Sequence, residues 1–290
     1  MAQRLVSVWQ PFFLGSASRD AAVEAARELE ELGYSRIWFS AGFGDDVPAR
    51  FREILDGTGR IGVAPGIVSI WHSSPPEVAA FARDAERAHP GRFLLGLGAS
   101  HAVLVEKDGT DYRRPYSKMV SYLDGLDQAG FPRERRILAA LGPRMLELSR
   151  DRSAGAHPYF IPAEHTAEAR AALGADRLLA PEVAVVLDPD PVTARATARK
   201  YTAGYLTLPN YTNNLRRFGW ADEDFAAGGS DRLVDAIIPW GTAEQVAAGL
   251  EKHYRAGADE VAIQVLNGGD ARSFPADAFR ALATVLIGRR

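Results

Sequence analysis

Cysteine is absent from the 290 residues, which removes disulfides, thiolate metal ligands and cysteine nucleophiles and fits a chain held in a reducing compartment. No apolar run approaches the roughly 20 residues of a membrane-crossing helix. The N-terminus goes straight into Arg4-Leu5-Val6-Ser7-Val8-Trp9 without the design of a signal peptide, so a soluble, cytoplasmic protein is expected. Excess charge of one sign is also missing: 34 Lys and Arg against 37 Asp and Glu leave a formal charge of -3. That balance offers no global attraction to nucleic acid or to an anionic membrane, and neither is expected as a partner. No Gly-X-Ser-X-Gly elbow occurs, which speaks against a Ser-His-Asp hydrolase. The first strand ends Ser7-Val8-Trp9-Gln10-Pro11 rather than in the His-X-His of a metal-dependent barrel hydrolase, so no metal site is expected. Internal repeats, coiled coils and low-complexity linkers are lacking too.

What remains is a chain that is 47% hydrophobic, enough for a large core, and longer than the roughly 250 residues of an α/β barrel by about one insertion. A single domain over 1–290 is expected. Short apolar strands alternate with amphipathic helices. Strands are read at Leu5–Trp9, Ser35–Ser40, Ile61–Ile70, Gly91–Gly98, Arg136–Ala140, Gly155–Phe160, Val183–Leu187 and Glu260–Val265. Eight strands with helices between them predict a (β/α)8 barrel; a doubly wound sheet with an appended subdomain is the alternative. Pro65 and Gly66 inside the third strand predict a bulge or an unusual peptide there. From Gly204 to Trp240 the composition shifts to Tyr, Asn, Phe, Trp and Gly, an insertion before the last βα unit that reads as a lid or binding loop, with a surface elaboration or an oligomer contact as the alternatives.

The stretch Gly91-Arg92-Phe93-Leu94-Leu95-Gly96-Leu97-Gly98-Ala99-Ser100-His101 organises the rest. Its glycines allow a close approach to the backbone, and the turn after them can aim N–H groups and the Ser100 hydroxyl at a phosphate. It is not a dinucleotide fingerprint, because histidine replaces the third glycine and the turn comes fourth rather than first. Two further anion candidates are Leu141-Gly142-Pro143, at the start of a helix, and Asn267-Gly268-Gly269-Asp270 after the last strand. In a barrel, function belongs at the C-terminal ends of the strands. His72, His101 and His157 follow or end strands there, His165 precedes a helix that could reach the same face, and His89 and His253 belong to helices.

Gly91 to Gly98, the Ala64-Pro65-Gly66-Ile67 strand and Ala139-Ala140-Leu141-Gly142-Pro143 with its Leu-Glu-Leu helix together resemble the bacterial luciferase-like monooxygenases. The resemblance covers nearly the whole chain and is closest to the actinobacterial branch that uses the deazaflavin coenzyme F420. It implies a barrel with an insertion, usually dimeric, that binds a flavin-like ring at its mouth. Gly66-Ile67 would match a non-prolyl cis peptide against the ring face. Gly98, Ala99, Ser100, Leu141, Gly142 and Pro143 would match the phosphate-binding turns, which ranks the last-strand turn below them. The chain departs from the pattern where many deazaflavin-dependent relatives carry an Asp-His pair, for it reads Ala41-Gly42. One of His101, His72 or His157 is then expected as the acid or base, His101 first. The function so implied is hydride transfer between F420 and a small organic substrate, with Trp9, Trp71 and Tyr159 as aromatic walls. An FMN-dependent monooxygenase using molecular oxygen and a non-catalytic flavin-binding barrel are the alternatives.

Overall fold

The computed structural model describes residues 4–15, 18–40, 47–269 and 273–288. Its strands are β1 (Leu5–Trp9), β2 (Arg36–Phe39), β3 (Gly62–Pro65), β4 (Val68–Ser69), β5 (Leu95–Gly98), β6 (Arg136–Leu138), β7 (Gly155–Ala156), β8 (Leu178–Leu179), β9 (Glu182–Val185) and β10 (Glu260–Val265). Every pairing between them is parallel. They form two five-stranded sheets, ordered β3-β2-β1-β10-β9 and β4-β5-β6-β7-β8. The sheets meet at both edges, because β3 runs on into β4 and β8 runs on into β9. Backbone bonds bridge the junctions: Val63 N–H to Arg92 O at 2.7 Å and Leu94 N–H to Val63 O at 3.1 Å on one side, Glu182 N–H to Pro158 O at 2.8 Å on the other. Counting each continued pair as one strand gives eight, closed in sequence order, and the open sheet is excluded.

The pleat explains which residues fill the interior. Alternate side chains of a barrel strand face opposite ways, so Ser7 and Trp9, Arg36 and Trp38, and Glu260, Ala262 and Gln264 point inward. Val6, Val8, Ile37, Phe39, Ile61, Val63, Val261 and Ile263 join the outer core beneath the helices. The inner stack is Trp9, Trp38, Ala64, Leu94, Ile137, Ala180 and Ala262. Below it lies a polar layer: Trp38 Nε1 donates to Ser7 Oγ at 3.1 Å and to Glu260 Oε1 at 2.9 Å, and Arg36 pairs with Glu260 at 3.4 Å.

The unusual peptide expected inside the third strand is present, and three other readings of the sequence change. The third strand is broken, with a cis peptide at Gly66-Ile67 separating β3 from β4. The sixth strand is only Gly155–Ala156, and the seventh begins earlier than Val183, at Leu178. The insertion is helical rather than a loop: after the helix Pro191–Tyr205 come Pro209–Arg217, Asp222–Phe225 and Asp231–Ile237. Pro at the start of the first two helices and Ser230 capping Leu233 N–H in the fourth explain why these segments begin where they do. Leu206, Tyr211, Leu215, Leu233, Val234 and Ile237 pack with Phe160, Ala184 and Val186 into a second core above the barrel.

Candidate active site

One cavity of about 500 Å³ opens at the C-terminal ends of the strands. Its base is the β3–β4 break. Gly66 faces two ring nitrogens that have no hydrogen-bond partner among the described residues, Trp9 Nε1 and His157 Nε2. A Cβ at position 66 would stand 2.4 Å from Trp9 Nε1 and 3.5 Å from His157 Nε2, so the two rings can pack this closely beneath the cavity floor because residue 66 is glycine, and both nitrogens are buried there. His157 is fixed by two contacts: its Nδ1 donates to Ala180 O at 2.6 Å, and its ring stacks on Trp38 at 4.1 Å between centroids. A carbonyl only accepts, so Nδ1 carries the proton and neutral His157 presents Nε2 as an acceptor. Burial pushes its pKa down to about 4, which keeps it neutral at pH 7. Trp9 beside it is a pure donor.

The turns after β5 and β6 both reach the same cavity, which is lined by Ala99 and Ser100 on one side and Leu141 and Gly142 on the other. Ser100 holds a left-handed conformation, φ 57°, that turns the backbone sharply out of the strand. The turn is held from behind: Trp71 Nε1 donates to Ala99 O at 2.7 Å and the Tyr112 hydroxyl to Ser100 O at 3.3 Å. Gly142 caps the helix Pro143–Arg152, whose positive dipole end therefore faces the opening. His165 Nε2 donates to Leu141 O at 2.8 Å and fixes that second turn. The glycines of β5 do something else. A Cβ at Gly96 would fall 2.0 Å from Pro65 O, and one at Gly98 2.6 Å from Ile67 Cγ1, so both make room for the kink in the neighbouring strand.

His101 lines the cavity at its rim, with Nδ1 3.1 Å from Asn210 Oδ1 and its ring 5.2 Å from that of Tyr211. Burial lowers its pKa and the Asn210 bond partly opposes this. Tyr159, Tyr205 and Tyr211 form the aromatic wall, Tyr159 standing edge-on to Trp9 at 5.5 Å between centroids. Of the residues singled out from the sequence, Trp9, Gly66, Ile67, Ala99, Ser100, His101, Leu141, Gly142, His157 and Tyr159 come together on this cavity. Gly98 and Pro143 stand behind it as the strand end and the first helical residue. Trp71 lies behind the turn, and His72 bonds Ser69 Oγ at 3.1 Å without lining the space. Asn267 closes on its own turn through Gly269 N–H and Ser273, away from the cavity. Ala41-Gly42 and Asp270 lie outside the described residues.

Sequence reasoning missed Asn210, Tyr205, Tyr211, Tyr201, Glu182 and Gln264. Tyr201 and Tyr205 stand four apart, on one face of a helix, which was a readable signal. Glu182 was set outside the seventh strand by the choice of its first residue. Among the described residues no cluster of His, Asp and Glu could hold a metal ion, and no helix is long and apolar enough to cross a membrane.

The family model for luciferase-like monooxygenases matches residues 7–260. The chain belongs to this family. Among solved structures of similar fold, an F420-dependent secondary alcohol dehydrogenase in complex with an F420-acetone adduct superposes with TM-score 0.76 at 13% identity, covering 99% of both chains. The coenzyme F420-dependent tetrahydromethanopterin reductase of Methanopyrus kandleri gives TM-score 0.76 at 14% identity, again over 99% of both. The oxygenating constituent of 3,6-diketocamphane monooxygenase from Pseudomonas putida, in complex with FMN, gives 0.68 at 15% identity over 98% of this chain and 97% of that one. No curated protein matches this chain. Solved structures that share this fold thus include F420-dependent enzymes and a monooxygenase in complex with FMN.

Proposed function

We propose that the chain is a deazaflavin-dependent oxidoreductase that moves a hydride between coenzyme F420 and a small organic substrate. The observation that carries this reading is the cavity that joins two anion-ready turns to a slot floored by Gly66 and Ile67 and walled by Trp9, His157 and Tyr159. A planar polar ring fits such a slot, and an anionic tail fits the turns. The coenzyme supplies the hydride chemistry when bound.

The chain's own residues bind, orient and handle protons. Backbone N–H groups of the Ala99-Ser100 and Leu141-Gly142 turns hold the phosphate, helped by the helix end at Gly142. The Gly66-Ile67 peptide supports one face of the ring. Trp9 and His157 back that peptide from below and line the slot with their rings. His101, its Nδ1–H held by Asn210, presents Nε2 to the substrate oxygen, where it takes a proton as imidazole or gives one as imidazolium. Tyr159, Tyr205 and Tyr211 exclude water from the reacting centre.

Titrating the protein with F420 and with FMN, followed by fluorescence, tests the reading. Saturable F420 binding with hydride transfer to or from alcohols, aldehydes or enones is expected. Preferential FMN binding with oxygen consumption would replace it with the monooxygenase reading, and tight binding without turnover would leave a binding protein. Ser100→Glu places a carboxylate where the phosphate is held and is expected to weaken coenzyme binding at least tenfold with the fold intact; unchanged affinity would remove these turns from the site.

A further inference from the structure

A buried carboxyl group sits behind the cavity, joined to it by phenols. Glu182, on β9, is 1% exposed and points into the barrel. Its Oε1 lies 3.5 Å from the Tyr201 hydroxyl and its Oε2 accepts the Phe160 N–H at 3.3 Å. Tyr201 Oη is 2.9 Å from Tyr159 Oη, and Tyr159 Oη is 2.9 Å from Tyr205 Oη. Tyr159 and Tyr205 line the cavity. Gln264 Oε1 accepts from Tyr159 at 2.8 Å and from Tyr201 at 3.3 Å, which holds the two rings in register. Four oxygens thus form an unbroken line from the barrel interior to the site, in surroundings made of aromatic rings.

We propose that Glu182 is the proton store of this cavity, connected to it through the hydroxyls of Tyr201, Tyr159 and Tyr205. The proposal rests on the function above only for the identity of the group that takes the proton. In the direction of carbonyl reduction, the hydride that a bound deazaflavin would supply leaves the carbonyl oxygen as an alkoxide. That alkoxide, or the His101 imidazole left once the imidazolium has protonated it, takes the proton of Tyr205. Tyr205 regains one from Tyr159, Tyr159 from Tyr201, and Tyr201 from Glu182, which ends as a carboxylate. One O–H bond breaks and one forms at each hop, and the relay itself moves no electrons. In alcohol oxidation every hop reverses. The charge state of Glu182 suits a proton donor of this kind, because burial raises its pKa to about 8; the group is an acid at neutral pH and sits close enough to the working pH to cycle. The groups that face it are the Phe160 N–H and the phenols of Tyr201, Tyr159, Tyr205 and Tyr211, whose own pKa values burial raises. Glu182 acts through these phenols, as a positioning and supplying group rather than one that touches substrate.

Infrared spectroscopy of the coenzyme-free protein tests the relay without any turnover. The carbonyl stretch of a protonated carboxylic acid is expected at neutral pH, absent in Glu182→Gln and fading as pH rises through about 8. On transfer to D2O the band is expected to shift quickly in the wild type and at least tenfold more slowly in Tyr201→Phe, which breaks the line beside Glu182. Tyr159→Phe, which removes the hydroxyl that joins Tyr201 to the cavity, gives the same slowing and replaces the first variant if that one misfolds. An absent acid band, or exchange as fast in both phenylalanine variants as in the wild type, overturns the proposal. In the loaded enzyme, Tyr201→Phe is expected to lower the proton-coupled rate about 10²-fold and to remove a limb of its pH profile, an effect that a purely structural tyrosine would not produce.

Discussion

Gly96 occupies a position with no room for a methyl group, since its Cβ would come 2.0 Å from the carbonyl oxygen of Pro65, a backbone atom that cannot swing aside. Gly66 is confined by Trp9, while Gly142, at φ -83°, has nothing within 4 Å of where a Cβ would lie. Alanine at these three glycines therefore separates packing from binding. Gly96→Ala is expected to cost about 1–3 kcal/mol of stability through overpacking at the strand kink, and Gly142→Ala no more than about 0.5 kcal/mol. Urea unfolding midpoints decide this. Equal losses at the two positions would mean that the kink at Pro65–Ile67 yields readily and is not what the β5 glycines accommodate.

The helix Pro209–Arg217 is the element that completes the site from above. It carries Asn210 and Tyr211 to the cavity, anchors itself through buried Tyr211, Thr212, Asn214 and Leu215, and is tied to the helix Ala163–Leu173 by an Arg217–Glu168 ion pair. Its effect on His101 is directional: Asn210 Oδ1 accepts from Nδ1–H and so favours the protonated ring, against the burial that lowers its pKa. Removing that oxygen in Asn210→Ala is expected to move the His101 titration to lower pH, readable by NMR of the imidazole without coenzyme. A titration that stays in place would show that the pair is not held together in solution and that another group aims His101.

At the scale of the whole molecule, three buried ionisable groups set opposing pH dependences. His157 and His253 have folded pKa values pushed by burial to about 4, below the ordinary 6.5, so the unfolded chain binds more protons between those values. Their contribution is full above pH 6.5 and is lost as pH falls toward 4. Glu182 runs the other way: its folded pKa is raised to about 8 from 4.5, so the stability tied to its protonated form is full below pH 4.5 and is lost as pH rises through 8. Denaturant unfolding from pH 5 to 9 should therefore show stability rising and then falling. Glu182→Gln should flatten the fall, by at most about 1.4 kcal/mol per pH unit. A falling limb that survives in Glu182→Gln would assign it to other groups and leave Glu182 ionised at neutral pH.

The sequence by itself determined the barrel and the place of its mouth, because both follow from local patterns. Apolar strands of period two, amphipathic helices between them and glycine- or proline-marked turns at strand ends are written in neighbouring residues, and so Ser100, Gly142 and His101 could be picked out one by one. Only the tertiary structure decided what those residues face. That Gly96 and Gly98 serve the adjacent strand, that Trp71 and His165 brace the two turns from behind, and that Glu182 reaches the cavity through three tyrosines are consequences of ring closure. Closing the barrel brings β9 and the helix Pro191–Tyr205 against the end of β7, contacts that no spacing along the chain encodes.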